Sequence, residues 1–511
     1  SRGRIHARTV IITAGTFLRG SLVAGESRHE GGRAGDDADT ALAGSLSEIG
    51  FHLRRLKTGT PPRVDARTVD VSHCEVQAGS ETPLWLSRDG ALGRIEPLAL
   101  PPLALHRSTH SPWRPQIACY RTATTTAAHD LIRENLDRAP IFNGAIEGIG
   151  PRYCPSIEHK VARFGEKDSH PIFIEPEGWR SGELYIQGFS TSLPFDVQDA
   201  ALRTIPAFRD ARITRYGYAV EYDAIDPEEL TPSLESRRVA GLFLAGQVNG
   251  TSGYEEAAGQ GIIAGLNAAN LVQERPAVIL GRDQAYIGVM IDDLVTKPFD
   301  EPYRMLTSRA EYRLQLRPDT ADDRFADLAA RHGLITAERV AEVKRDQEVI
   351  DRTLARLDQH RFTMSERDSA ALVGAGLGPL TRAATAVELL RRPEIGIAPV
   401  LQALAAVAEN GAVAIPQRLA RRIEDQIKYG AFVEREAREI ARRAGMEHRP
   451  LPAALDYTVV AGLRFEARQK LDQVRPATFG QAARLPGVTP SDIAALLVYA
   501  ARHEPAMPCA S

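Results

Sequence analysis

The 511-residue chain is long enough for two to four domains of roughly 150 residues each, and its apolar (43%) and charged (25%) fractions are those of a globular protein. A formal net charge of -3 removes any global electrostatic case for nucleic-acid binding and leaves only a local patch. No stretch is long and apolar enough for a transmembrane helix, and Cys74, Cys119, Cys154 and Cys509 form neither a CxxC pair nor a metal-ligand spacing, so the thiols read as reduced and cytosolic.

The chain opens at Ser1, without a signal peptide, and runs almost at once into an apolar stretch, which reads as truncation. Residues 8–14 are β-branched and nearly continuously apolar, which predicts a central parallel strand covered on both faces and ended by a tight turn at Gly15. Residues 22–39, rich in Gly, Asp, Arg and Ser, read as a polar loop, and 40–50 as a short helix. Pro61 and Pro62 forbid helix beyond Thr60 and leave a rigid turn bracketed by Lys57 and Arg63. Residues 71–115 read as an irregular surface insertion of strands and long loops.

A helix is expected at 124–137, a Gly-rich connection at 143–150, and strands at 171–175, 183–188 and 212–222. The strongest local signal is a buried strand at 241–246 that enters a Gly-rich loop and then a helix over 254–273. Small residues Ala257, Ala258, Gly261, Ala264 and Gly265 let that helix lie close to a sheet or a cofactor. Beyond about 277 helical periodicity dominates, as at 320–358, 416–444 and 491–502.

A Gly-rich strand-to-helix turn exposes backbone N–H groups at the positive end of a helix, which favours a phosphate or the negative edge of a reduced flavin. The bland alternative is a plain β–α connection. Four glycines within 241–253, followed by Glu255 and Glu256, favour the cofactor. The G-x-G-x-x-G fingerprint that holds a dinucleotide pyrophosphate does not occur, and 144–150 has the wrong spacing, so the chain by itself is expected to bind FAD weakly or not at all.

Cys154 has Arg152 close by, and a neighbouring cation lowers a thiol pKa toward a nucleophile. Most lone cysteines are inert and half-buried, and the residues alone leave that reading ahead. Glu158, His159 and Lys160 read more readily as a solvated face than as acid–base groups. Arg309, Arg313 and Arg317 would make one basic stripe on a helix, suited to RNA phosphates or to ion pairs. The 416–444 helix, with eight basic and five acidic residues, reads as a mixed solvated face.

Several segments, in order along the chain, resemble the MnmG (GidA) family of tRNA-modifying flavoproteins. They include Gly31-Gly32-Arg33-Ala34-Gly35-Asp36, Lys57-Thr58-Gly59-Thr60-Pro61-Pro62-Arg63, Gly150-Pro151-Arg152-Tyr153-Cys154-Pro155-Ser156-Ile157-Glu158, Glu175-Pro176-Glu177-Gly178, and the stretches 246–256, 308–313, 455–457 and 480–484. The resemblance implies an α/β fold. Its FAD-binding, two-dinucleotide-fold (Rossmann-like) core lacks the first βαβ unit and carries an inserted domain and a mainly α-helical C-terminal domain. The implied boundaries are core at 1–70 and 150–276, insertion at 71–149, and helical domain at 277–511.

The same resemblance implies addition of a carboxymethylaminomethyl or aminomethyl group to C5 of the wobble uridine, with FAD, NADH and methylene-tetrahydrofolate, in the cytoplasm. Its implied partners are tRNA, a second copy in a homodimer, and the GTPase MnmE in a heterotetramer. No metal is implied. An FAD contact falls on Gln247 and another on Asp39, where the family has Ser and a carboxylate would repel a pyrophosphate. Gly15, Asn249, Gly250, Gly253, Tyr254 and Glu255 complete the FAD set. The nicotinamide stretch falls on Gly150, Pro151, Arg152, Tyr153, Cys154, Pro155, Ser156, Ile157, Glu158, His159, Lys160, Val161, Ala162, Arg163 and Phe164, with Cys154 as its redox cysteine. Two alternatives stand beside this reading. One is a TrmFO-type folate-dependent methyltransferase, disfavoured by the long helical half. The other is a non-catalytic fragment that binds MnmE or tRNA.

Overall fold

A computed structural model describes the chain except residues 1–2, 82–83, 86, 96–102, 110–115, 153–154, 298–300, 408–414, 448, 453–454 and 504–511. Two compact units form: Ser1–Ile279 with Asp293–Met305, and Leu280–Asp292 with Leu306–Ser511.

The first unit is built on strands β1 (Val10–Ile12), β2 (Ser21–Ala24), β3 (Ser27–Glu30), β4 (Leu53–Thr60), β5 (Arg63–Asp65), β6 (Glu75–Gln77), β7 (Ser108–Thr109), β8 (Gln116–Ile117), β9 (Cys119–Ala123), β10 (Pro171–Pro176), β11 (Glu183–Gln187), β12 (Ile213–Arg215), β13 (Tyr218–Ile225) and β14 (Leu242–Leu244). Its helices are α1 (Thr40–Ile49), the short α2 (Arg88–Ala91), α3 (Thr126–Arg133), α4 (Ile157–Arg163), α5 (Phe195–Arg203) and α6 (Tyr254–Val272). A four-stranded antiparallel sheet has the order β3-β2-β13-β4, and a six-stranded antiparallel sheet the order β12-β5-β11-β10-β9-β6.

The two sheets exchange strands at one place. Pro61 and Pro62 have no N–H to continue a ladder, so the chain leaves the first sheet at Thr60 and enters the second at Arg63. Gly217 makes the return crossing between β12 and β13, and a Cβ there would stand 2.9 Å from the Thr60 carbonyl oxygen. The six-stranded sheet thus takes strands from both sides of positions 70 and 149. Alternate residues of its strands point inward. Val64, Ile172, Ile174, Leu184 and Ile186 pack beneath α3, α4 and α5 with Ala128, Ile132, Ile157, Val161 and Leu202.

The polar loop expected at 22–39 is in part the hairpin β2–β3. Gly25 turns it at φ 53°, and the polar residues of β3 face water at the sheet edge. β1 is parallel, as expected, but not covered on both faces. It pairs with β14 alone among the described residues, and Val10 and Ile11 are 52% and 40% exposed.

The second unit is mainly helical, with one short antiparallel pair, Arg361–Phe362 against Ala384–Thr385. Helices α7 (Tyr286–Thr296, which the unit boundary divides), α8 (Ala321–Arg331), α9 (Ala337–Gln359), α10 (Glu366–Gly374), α11 (Ala386–Leu390), α12 (Ile397–Val407), α13 (Gln417–Glu447), α14 (Phe465–Val474), α15 (Phe479–Arg484) and α16 (Pro490–His503) follow in order. Ile350, Leu357, Phe362, Leu389, Leu404 and Ile423 centre one core, and Tyr457, Leu471, Phe479 and Leu496 another. The basic stripe of Arg309, Arg313 and Arg317 does not form, because residues 307–317 are successive turns, with Tyr312 left-handed at φ 47°. Arg317 instead pairs with Asp319 at 2.9 Å.

Candidate functional site

β1 and β14 run side by side, Val10 opposite Leu242 and Ile12 opposite Leu244, and so deliver two chain segments to the same edge. Each then enters a short 3₁₀ turn, Gly15–Phe17 and Gly246–Asn249. Gly15 (φ 60°) and Gly246 (φ 86°) occupy the left-handed region that favours glycine, and a Cβ on Gly15 would meet the Gln247 side-chain oxygen at 3.0 Å. The 31–36 loop closes on the first turn. The Thr16 hydroxyl donates to the Gly32 carbonyl at 2.8 Å, and a side chain on Gly32 would collide with the Phe17 ring. The turn at Gly15, the 31–36 motif and the 246–256 stretch therefore meet.

Asp39 joins them through its backbone. Its N–H donates to the Phe17 carbonyl at 2.8 Å and its carbonyl accepts from Arg19 N–H at 3.1 Å. Its carboxylate caps α1 by accepting from Leu42 N–H at 2.9 Å. Ser and Asp are alternative N-caps, so this Asp has a structural role that does not depend on a cofactor.

The second turn is held from below by one side chain. Gln260, fully buried on α6, accepts from Gly246 N–H (2.9 Å) and from Asn249 Nδ2 (3.0 Å), and donates to the Thr251 hydroxyl (2.6 Å). Asn249 Nδ2 also reaches the Leu244 carbonyl at 2.7 Å, while its Oδ1 is buried without a hydrogen-bond partner. Gly253 is the N-cap of α6, and the Glu256 carboxylate lies directly against it, where any Cβ would collide. Tyr254 is 93% exposed and Glu255 is exposed as well. Bare backbone and an orphaned acceptor fit a flat ring bearing an N–H donor. The end of α6 already holds its own carboxylate, so it fits a phosphate poorly.

The 150–164 stretch begins against the four-stranded sheet. Glu221, buried on β13, accepts from Glu147 N–H (2.8 Å) and Gly148 N–H (2.7 Å) and pairs with Arg28 at 3.0 Å. Lys57 N–H donates to the Ile149 carbonyl at 3.0 Å, and a Cβ on Gly150 would stand 3.3 Å from the Lys57 side chain. Arg152 pairs with Glu301 at 3.3 Å. Tyr153 and Cys154 lie outside the described residues. On α4, Ile157 and Val161 enter the core, while Ala162, Arg163 and Phe164 are exposed.

Glu158 is not on a solvated face. It shares the buried face with Ile157 and Val161 at 0% exposure, and its Oε1 accepts from both the N–H and the hydroxyl of Ser192 at 2.9 Å. Its Oε2, like the buried Ser156 hydroxyl, has no partner. His159 is pushed toward the neutral form by burial and then by the charges of Lys57 and Arg163. The Lys160 ammonium donates to the Gly188 carbonyl at 2.9 Å.

Gly15, Asp39 and the 246–253 turn thus form one group, and Gly150 stands in another, against β4. Gln260 and Glu221 emerge only from the structure, which also gives Glu256, noticed in the sequence only as an acidic residue of the first helical turn, its place against Gly253. Of these, Gln260 had a visible signal as the one long polar side chain within the small-residue stretch 257–265.

Comparison with known proteins fits this geometry. Residues 1–276 match the family model "Glucose inhibited division protein A". Residues 337–437 and 439–509 match the C-terminal helical domain and C-terminal helical bundle of "tRNA modifying enzyme MnmG/GidA". The chain is 49% identical over 503 residues to the tRNA uridine 5-carboxymethylaminomethyl modification enzyme MnmG of Roseiflexus castenholzii, covering 98% of this chain and 74% of that one. It is 48% identical over 512 residues to the enzyme of that name from Chloroflexus aurantiacus, covering 98% and 77%. Among solved structures, Aquifex aeolicus GidA in its form II crystal superposes with a TM-score of 0.81 at 37% identity, covering 96% of this chain and 74% of that one.

Proposed function

The chain belongs to the MnmG/GidA family of tRNA-modifying flavoproteins, and we propose that it works as an FAD-dependent enzyme adding a carboxymethylaminomethyl or aminomethyl group to C5 of the wobble uridine of tRNA. The observation that carries this reading is the glycine-lined turn at the ends of β1 and β14, in a chain that aligns over 98% of its length with enzymes of that name. The helical matches at 337–437 and 439–509 argue against a TrmFO-type methyltransferase. FAD, when bound, supplies a two-electron carrier whose chemistry the protein orients. Gly15, Asp39, Gln247, Asn249, Gly250, Gly253, Tyr254 and Glu255 are the proposed FAD residues.

The stretch 150–164 is the proposed NADH site, with Cys154 as the redox thiol beside the Arg152 cation. Methylene-tetrahydrofolate is the proposed one-carbon donor. The 1–70 and 150–276 parts are the proposed cofactor core, 71–149 the insertion, and 277–511 the surface for tRNA and the GTPase MnmE. The working assembly in this reading is a cytoplasmic homodimer that MnmE completes to a heterotetramer.

Two measurements test it. Adding FAD to the chain should shift and structure the flavin absorption band; an unchanged free-flavin spectrum at saturating FAD refutes the FAD assignment. In a bacterium lacking its own enzyme and complemented by this protein, Cys154→Ser should abolish the modified wobble uridine. Wild-type nucleoside levels in that variant would remove Cys154 from the mechanism.

A further inference from the structure

Residues 303–305 are far in sequence from the glycine turn, yet they are built into it. Tyr303 lies beside Thr251 in a parallel bridge. Its N–H donates to the Gly250 carbonyl at 2.8 Å, and its carbonyl accepts from Ser252 N–H at 3.1 Å. Tyr303 is 6% exposed, and its hydroxyl donates to the buried Asp293 at 3.2 Å. Two residues on, Met305 N–H donates to Glu256 Oε1 at 2.8 Å, and Arg304 Nε approaches the same oxygen at 3.3 Å. The strap therefore fixes both the shape of the 250–253 turn and the carboxylate that lies against Gly253.

This arrangement sets the charge at the start of α6. The helix contributes about half a positive charge there. Glu256, with 9% of its side chain exposed, more than offsets it, and Arg304, with 45% exposed, offsets Glu256 in turn. The orphaned Asn249 Oδ1 in the same turn gives independent reason to place a ligand at this end.

We propose that Glu256 and Arg304 form a compensating pair that tunes how strongly this site prefers the reduced over the oxidised flavin, with Arg304 as a positioning residue. The inference rests on the FAD assignment above. At neutral pH the reduced ring bears one negative charge that the oxidised ring lacks. A carboxylate at this turn therefore disfavours the reduced form, and a guanidinium favours it. A charge a few ångströms away in a partly solvated site is worth about 1–3 kcal/mol, or roughly a five- to hundredfold change in an affinity ratio.

The test is a pair of titrations of the full chain, one with oxidised FAD and one with FAD reduced anaerobically by dithionite, each carried to saturation. The readout is the ratio of the two dissociation constants. Glu256→Gln should move the ratio in favour of reduced FAD, Arg304→Gln should move it toward oxidised FAD, and the double variant should return close to the wild-type ratio. Arg304→Lys should retain most of the wild-type preference.

A merely structural strap gives a different result, because loosening the turn weakens both forms equally and leaves the ratio unmoved. Flavin binding with an unchanged ratio in every variant overturns this inference while the FAD assignment stands. A wild-type chain that binds neither form overturns both.

Discussion

The starts of α6 and α4 are built on opposite plans. At α6 the polar groups of the turn converge on one buried hub, Gln260, which engages Gly246 N–H, Asn249 and Thr251 and leaves the Asn249 Oδ1 acceptor over. At α4 the Ser156 hydroxyl and Glu158 Oε2 are both buried with no partner, and Glu158 is tied to Ser192 through its other oxygen alone. A satisfied hub makes a stiff frame that a ligand approaches through bare backbone. Unsatisfied buried polar atoms cost stability, and their persistence marks a place where another requirement outweighs it.

The largest test of this contrast is Gln260→Leu. It removes the hydrogen bonds to Gly246, Asn249 and Thr251 at once inside a buried network and leaves Gly246 N–H and Asn249 Nδ2 short of an acceptor. We expect a loss of about 2–6 kcal/mol, from two buried donors left unsatisfied at about 1–3 kcal/mol each. Trp85 and Trp179 lie in the first unit, so their fluorescence during urea unfolding reports on that unit. A loss below about 1 kcal/mol would mean that the turn keeps its shape without its hub.

The next effect is a pH dependence in the core around α4. His129 on α3 and His170 before β10 are buried, their rings 5.2 Å apart, with His129 Nε2 at 2.7 Å from the Thr124 hydroxyl and His170 Nε2 unpartnered. Burial lowers both pKa values. Arg133 adds to the effect at His129, and His129, Lys160 and Lys167 add to it at His170, against weaker opposite pulls from a backbone hydrogen bond at Lys167, Asp130 and Asp168 on His129 and from Glu166 on His170. A group whose folded pKa is depressed takes up its proton more readily in the unfolded chain. Stability is therefore full above the unfolded value near 6.5 and falls as pH drops below it. The slope is at most about 1.4 kcal/mol per pH unit for each histidine. Urea unfolding at pH 7.5 and 5.5 measures it, and His170→Gln should flatten it. A slope that His170→Gln leaves unaltered would assign the pH response elsewhere.

What was legible in the sequence divides along the same line. Local signals carried β14, the glycine turn, α1 and α6, because strand, glycine spacing and helix period all lie within about twenty residues. The hairpin β2–β3 was hidden by the polar residues of an edge strand. The crossing of the two sheets depends on Gly217 meeting Thr60, more than 150 positions away, and no window holds both. Glu158 looked like part of a solvated charge run because Glu158, His159 and Lys160 are adjacent in sequence. On a helix, Glu158 turns to the same side as Ile157 and Val161 and into the core. The strap at 303–305 carries no glycine and a single charge, Arg304, and only its bonds to Gly250, Ser252 and Glu256 reveal it.

The smallest expected change in stability bears most directly on why α4 is unfinished. Ser156 is 2% exposed, its hydroxyl bonds to nothing, and it contributes no side-chain cap to α4. Replacing a buried, unpaired hydroxyl with a methyl removes a desolvation cost and breaks no bond. Ser156→Ala should therefore leave the urea midpoint unchanged or raise stability by up to about 1 kcal/mol. If the hydroxyl is kept for a ligand of the 150–164 stretch, the same substitution should weaken NADH binding several-fold, read by quenching of nicotinamide fluorescence. A destabilised protein with unchanged NADH affinity would show that the hydroxyl serves the fold, and the contrast between α4 and α6 would then lie in packing and not in ligand binding.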